Sequence, residues 1–77
     1  MYIIIWADYL CNDWTNTAYL GWTHKTMTEA KKALKELYRD DKSVQDWDDK
    51  KFSDEYYTLS NDDRIITCQI EFININI

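Results

Sequence analysis

The residues able to carry nucleophilic or metal chemistry are few in this chain. The lone histidine, His24, stands between Thr23 and Lys25, and the two thiols are Cys11 and Cys68. A nucleophile needs a base within hydrogen-bond reach, and neither cysteine neighbours His24 along the chain. One His and two Cys do not supply the spaced ligands of a structural zinc site. With a single glycine, the chain has no glycine-rich loop to cradle phosphate. The stretch DWDDKKFSDE places Asp46, Asp48 and Lys50 where a calcium loop has its first, third and fifth ligands. Lys50 then sets a cation where an oxygen belongs, Lys51 replaces the turn glycine, and Tyr57 takes the place of the bidentate glutamate. The expectation is a protein that is not an enzyme and holds no cofactor and no metal.

What remains is charge. Residues 40–63 hold nine acids, Asp40, Asp41, Asp46, Asp48, Asp49, Asp54, Glu55, Asp62 and Asp63, against Lys42, Lys50 and Lys51. That segment carries −6 of a net −5, so the remainder is near neutral. Were residues 44–51 a short helix, Asp46 and Asp49 would lie about 5–6 Å apart, a separation compatible with the phosphates a DNA-binding cleft accepts. Trp47, with Tyr56 or Tyr57 nearby, could anchor such a surface. The ten candidate partner-binding residues are these nine acids and Trp47. The plainer alternative is that Trp47 belongs to the core and the acids are a solvated connector.

The elements that must position these residues can be read from periodicity. MYIIIWADYL is rich in β-branched and aromatic residues and reads as a central strand. CNDWTN reads as a turn or loop, and TAYLGWT as a strand with Ala18, Leu20 and Trp22 on one face. Gly21 there suggests a bulge or a close backbone approach. Thr26-Met27-Thr28-Glu29 is a capping box. It opens a helix over about residues 27–40 whose stripe is Met27, Ala30, Ala33, Leu34, Leu37 and Tyr38. Lys31, Lys32, Lys35, Glu36 and Arg39 form its other face, read as solvated. Asp40 and Asp41 oppose the helix dipole and predict its end. Ser43 could cap a short helix or turn over 44–51, with Val44, Trp47 and Phe52 docking inward. EYYTLS, the turn NDD and RIITCQIEFININI complete the pattern as two strands. Ile66, Cys68, Ile70 and Phe72 share a face of the last, and the apolar phase changes at Ile73.

The fold class that follows is α+β: ββαββ, a single antiparallel sheet with one amphipathic helix on a face, residues 1–77 forming one domain. A 77-residue chain is marginal without a rich core, and 45% hydrophobic residues with four Trp, six Tyr and two Phe supply one. No apolar run is long enough for a membrane helix. The chain is expected to be cytoplasmic, with Cys11 and Cys68 reduced and Cys68 a small buried hydrophobe. The excess of acids disfavours direct nucleic-acid binding and suits a basic protein partner.

The short length, acidic balance, lack of catalytic motifs and Asn-, Asp-, Lys- and Ile-rich style resemble small anti-CRISPR and antirestriction proteins of phages and mobile elements. Locally, ADYLCNDWTNTAYLGWTH before a helix resembles the first module of ArdA-type antirestriction proteins, carried here by Tyr9, Asn12, Gly21 and Trp22. The resemblance implies an inhibitor that meets a nuclease or its DNA-recognition surface and blocks nucleic-acid access. A second reading has copies joining as a homodimer through the exposed side of the sheet, with the isoleucine-rich C-terminal strand as an uncapped edge.

Overall fold

The computed structural model describes residues 1–10 and 18–74. Their order is β1 (Tyr2–Leu10), β2 (Ala18–His24), α1 (Met27–Ser43), β3 (Asp49–Phe52), β4 (Tyr56–Ser60) and β5 (Arg64–Phe72). The strands form one antiparallel sheet in the order β2-β1-β5-β4-β3. The protein is thus an α+β domain of the expected class, with one strand more than the sequence reading, because residues 49–52 extend the hairpin as an edge strand.

β1 and β5 are the longest strands and pair along nine positions, from Tyr2 opposite Phe72 to Leu10 opposite Arg64. The pairing runs on at the open end, where the Ile73 amide donates to the Met1 carbonyl (2.8 Å). β5 is therefore central, flanked by β1 and β4, and is not the uncapped edge expected of the C-terminal strand. Residues 75–77, the end of the isoleucine-rich stretch, lie outside the described residues. So does Cys11, while Cys68 is a free, buried thiol. β2 pairs continuously through Gly21, opposite Ile5, so no bulge interrupts it.

Strand alternation sends Tyr2, Ile4 and Trp6 of β1 and Ile66, Cys68 and Ile70 of β5 to the face that carries α1. Ile4, Ala30, Leu34, Tyr57, Leu59, Ile66 and Cys68 are essentially inaccessible to solvent. Across this face runs one row in register: Phe52, Tyr57, Cys68, Trp6 and Leu20, one residue from each strand.

The helix begins as its cap predicts, with the Thr26 hydroxyl accepting from the Glu29 amide (3.2 Å). It does not end at Asp40 but continues to Ser43. The physical reason is Asp41, which falls four residues after Leu37 and seven after Leu34 and so lies on the buried stripe. There its carboxylate accepts from Trp6 Nε1 (2.9 Å) and from the Tyr57 hydroxyl. These tertiary bonds outweigh a dipole penalty of a few tenths to one kcal/mol, about the usual size for a charge at a helix end.

Candidate partner interface

The acidic residues separate into four places. Asp41 is turned inward, as described. Asp40 is exposed on α1 and lines a cavity of about 230 Å³ between α1 and β2, whose floor includes Ile4, Trp22 and Leu37. Asp46, Asp48, Asp49, Asp62 and Asp63 gather at the end of the sheet where β3 and β5 start and β4 stops. Asp54 and Glu55 occupy the β3–β4 turn, at the opposite end of that hairpin.

No helix forms over 44–51, so the separation expected of Asp46 and Asp49 on a helical turn does not apply. Instead the connector is pinned flat. The Asp48 amide donates to the Ser60 carbonyl (2.9 Å), and Asn61 Nδ2 donates to the Asp46 carbonyl (3.1 Å). Asn61 also organises the β4–β5 turn, its Oδ1 accepting from the amides of Asp63 (2.8 Å) and Arg64 (2.9 Å). This side chain alone therefore ties two of the five acids, Asp46 and Asp63, to the ends of β4 and β5. All five side chains are exposed.

Trp47, among these acids in sequence, is not part of their surface. It is 8% exposed and joins the core, and its Nε1 donates to the Asp41 carbonyl (3.0 Å). Val44 and Phe52, expected to dock with it, are exposed. Tyr57 is wholly buried, whereas Tyr56 is half exposed on the face away from α1.

Beneath the acidic end lies an ion pair not anticipated from sequence. Arg64 Nε and Nη2 donate to the two oxygens of Asp8 at 2.7 and 2.6 Å, and Nη1 donates to Gln45 Oε1 at 3.2 Å. The fork geometry suits a carboxylate, and hydrogen bonding to Asp8 raises the guanidinium pKa above its ordinary value. Asp8 thus satisfies Arg64, which is mostly covered, so this cation does not pair with the five outer carboxylates, of which Asp49 meets Lys51 at 4.0 Å. The only sequence signal was an acid at position 8 in the inward phase of β1.

The interior contains two groups able to carry chemistry, Tyr57 and Cys68, and burial shifts both toward their protonated forms. Burial, then the hydrogen bond to Asp41, pushes the Tyr57 hydroxyl far above its usual range. Burial raises the Cys68 thiol from 9.0 to about 12, which suppresses the thiolate that a reactive cysteine needs. Among the described residues no three His, Cys, Asp or Glu side chains converge as metal ligands, and no helix is long and apolar enough to cross a membrane. His24 ends β2 beside the small cavity and is partly covered.

No family model matches this chain, and comparison with curated proteins and with solved structures returns no significant match.

Proposed function

We propose that this protein is a non-enzymatic inhibitor of the counter-defence kind, anti-CRISPR or antirestriction in type, acting in the cytoplasm of a bacterial host. On this reading it offers carboxylates where a basic, nucleic-acid-binding host protein, such as a nuclease, would otherwise meet phosphates. The observation that carries the reading is the acidic end. Asp46, Asp48, Asp62 and Asp63 are exposed on connectors held to the sheet by Ser60 and Asn61, and Asp49 is exposed at the start of β3. Short side chains on a fixed backbone keep such charges in place, and complementary charge steers association. The test is capture from host lysate at low and raised salt, with a variant carrying Asn at all five positions alongside. A basic nucleic-acid-binding protein captured by the parent, released by salt and lost to the variant supports the reading. Equal capture by the variant refutes it.

A second reading, self-association, has its own observation. Among the described residues β2 is an edge strand, and it carries Leu20 and Trp22, 51% and 38% exposed. Light scattering decides it: a monomer at high micromolar concentration removes this reading.

A further inference from the structure

The cations of the helix are more than a solvated face, because the fold gives them an aromatic neighbour that a solvated face does not need. Lys32, Lys35, Arg39 and Lys42 line a groove of about 470 Å³ between α1 and the edge strand β3, with Tyr38 and Phe52 as its aromatic wall. A second depression of about 330 Å³ adjoins it and shares Lys32, Lys35 and Phe52. Phe52 thus stands between two hollows and is 42% exposed. One face of its ring is stacked on Tyr38, with centroids 4.5 Å apart and planes at 29°. Lys42 Nζ lies 5.4 Å from the Tyr38 ring centroid.

The helical spacing makes the four cations a stripe. Positions 32, 35, 39 and 42 lie on one side of α1 and extend about 15 Å along its axis. None of these four takes part in an ion pair among the described residues, where the only pairs are Lys51–Asp49 and Arg64–Asp8. The two hollows together are lined by five cations, counting Lys31, and by two carboxylates, Glu36 and Asp54, a local charge of +3 on a chain of net −5. Salt screens charge beyond about 8–10 Å, so a ligand in the groove responds to this local excess more than to the acids at the far end of the sheet.

We propose that this groove binds single-stranded nucleic acid, a base stacking on Phe52 and the flanking phosphates lying along Lys32, Lys35, Arg39 and Lys42. A cationic track beside an exposed ring is the combination that holds single strands without sequence preference. The Tyr38 stack holds the Phe52 ring in position, so little order is lost when a base adds to it. A duplex keeps its bases paired and cannot offer a ring face to Phe52. An acidic peptide would use the cations and leave the ring idle. The total charge, which argued against nucleic acid, averages two surfaces that the fold keeps apart. The site does not depend on the acidic end, so either can fail alone.

The experiment is a fluorescence-anisotropy titration of the full chain with a labelled twelve-nucleotide single strand at low salt. Its arms are a duplex of the same length, adenosine monophosphate as competitor, and a glutamate peptide of equal charge. The single strand should bind, and affinity should fall as salt rises. Phe52→Leu, which keeps bulk but removes the ring, should weaken binding about tenfold. Lys32→Gln with Lys35→Gln should weaken binding and lower the salt slope by about 1.4. The five-Asn variant of the acidic end should bind the strand at least as well as the parent. No binding of the single strand, duplex or glutamate peptide bound as tightly, or Phe52→Leu without effect would each overturn the proposal. Monophosphate that displaces the strand at equal molar concentration would also overturn it, in favour of a free nucleotide.

Discussion

The Tyr57 hydroxyl donates to the Asp41 carboxylate across the sheet–helix interface, sixteen residues apart in the chain. The same carboxylate oxygen accepts from Trp6 Nε1, and the Asp41 carbonyl accepts from Trp47 Nε1. One acid on α1 thereby fixes β1, β4 and the connector into β3. Asp41→Ala would leave a phenol and an indole donor unpaired in a covered site. Losing bonds to a charged acceptor in this way costs about 3 kcal/mol, a large part of the stability of a domain this size. Asp41→Asn keeps one acceptor and should cost about 1 kcal/mol. Urea unfolding checks both, and an Asp41→Ala midpoint equal to that of the parent would contradict this role.

The connector after the helix gives a paired prediction. Trp47 is buried and Val44 is 60% exposed, although both lie in the same stretch. Trp47→Ala should cost about 3–5 kcal/mol through lost burial and a residual cavity. Val44→Ser should stay within about 0.5 kcal/mol of the parent. Thermal or urea midpoints distinguish them, and equal effects would mean that Trp47 does not hold the core.

For the acidic end, Asn at positions 46, 48, 49, 62 and 63 should leave the fold intact or slightly more stable, since like charges repel. Association with the captured partner should slow, because charge acts chiefly on encounter. The control is Asp54→Asn with Glu55→Gln, at the other end of the hairpin, which should change the association rate little. Stopped-flow or surface-based rates decide, and equal slowing by both variants would indicate a net-charge effect rather than a site.

Alkaline stability follows from two raised pKa values. Cys68 moves from 9.0 to about 12 on folding, and Tyr57 moves well above 10.0, so the folded state holds protons that the unfolded chain releases. These groups favour folding in full below pH 9. Their contribution is lost as pH rises, first from Cys68 above 9 and then from Tyr57 above 10. The slope is about 1.4 kcal/mol per pH unit for each group. Cys68→Ala lowers stability at neutral pH, but its loss between pH 9 and 10 should be shallower than the parent's. Urea titrations at several pH values measure this, and identical slopes would show that Cys68 does not contribute.

The sequence by itself determined what depends on near neighbours. The Thr26 cap, the apolar stripe of α1, the alternation that buries Ile66 and Cys68, and the Asn61 turn all follow from side chains within a few residues of one another. Helical and strand periods act at that range, so the α+β class and the element order were legible. The acids of residues 40–63 were legible as a charge excess but not as a site.

Tertiary structure decided the rest. Asp41 looked like a helix stop until Trp6 and Tyr57, thirty-five and sixteen residues away, supplied donors for it. Asp8 and Arg64 meet across fifty-six residues because β1 and β5 are central neighbours, and that same pairing takes the C-terminal strand off the edge. Residues 49–52 become a strand because β4 offers them a ladder, which no local propensity of Asp-Lys-Lys-Phe would provide. The edge so formed sets Phe52 beside the lysines of α1, while the turns divide the acids between the two ends of the hairpin. Each outcome depends on which distant backbone comes within hydrogen-bonding distance, and that is a property of strand order rather than of any short stretch of chain.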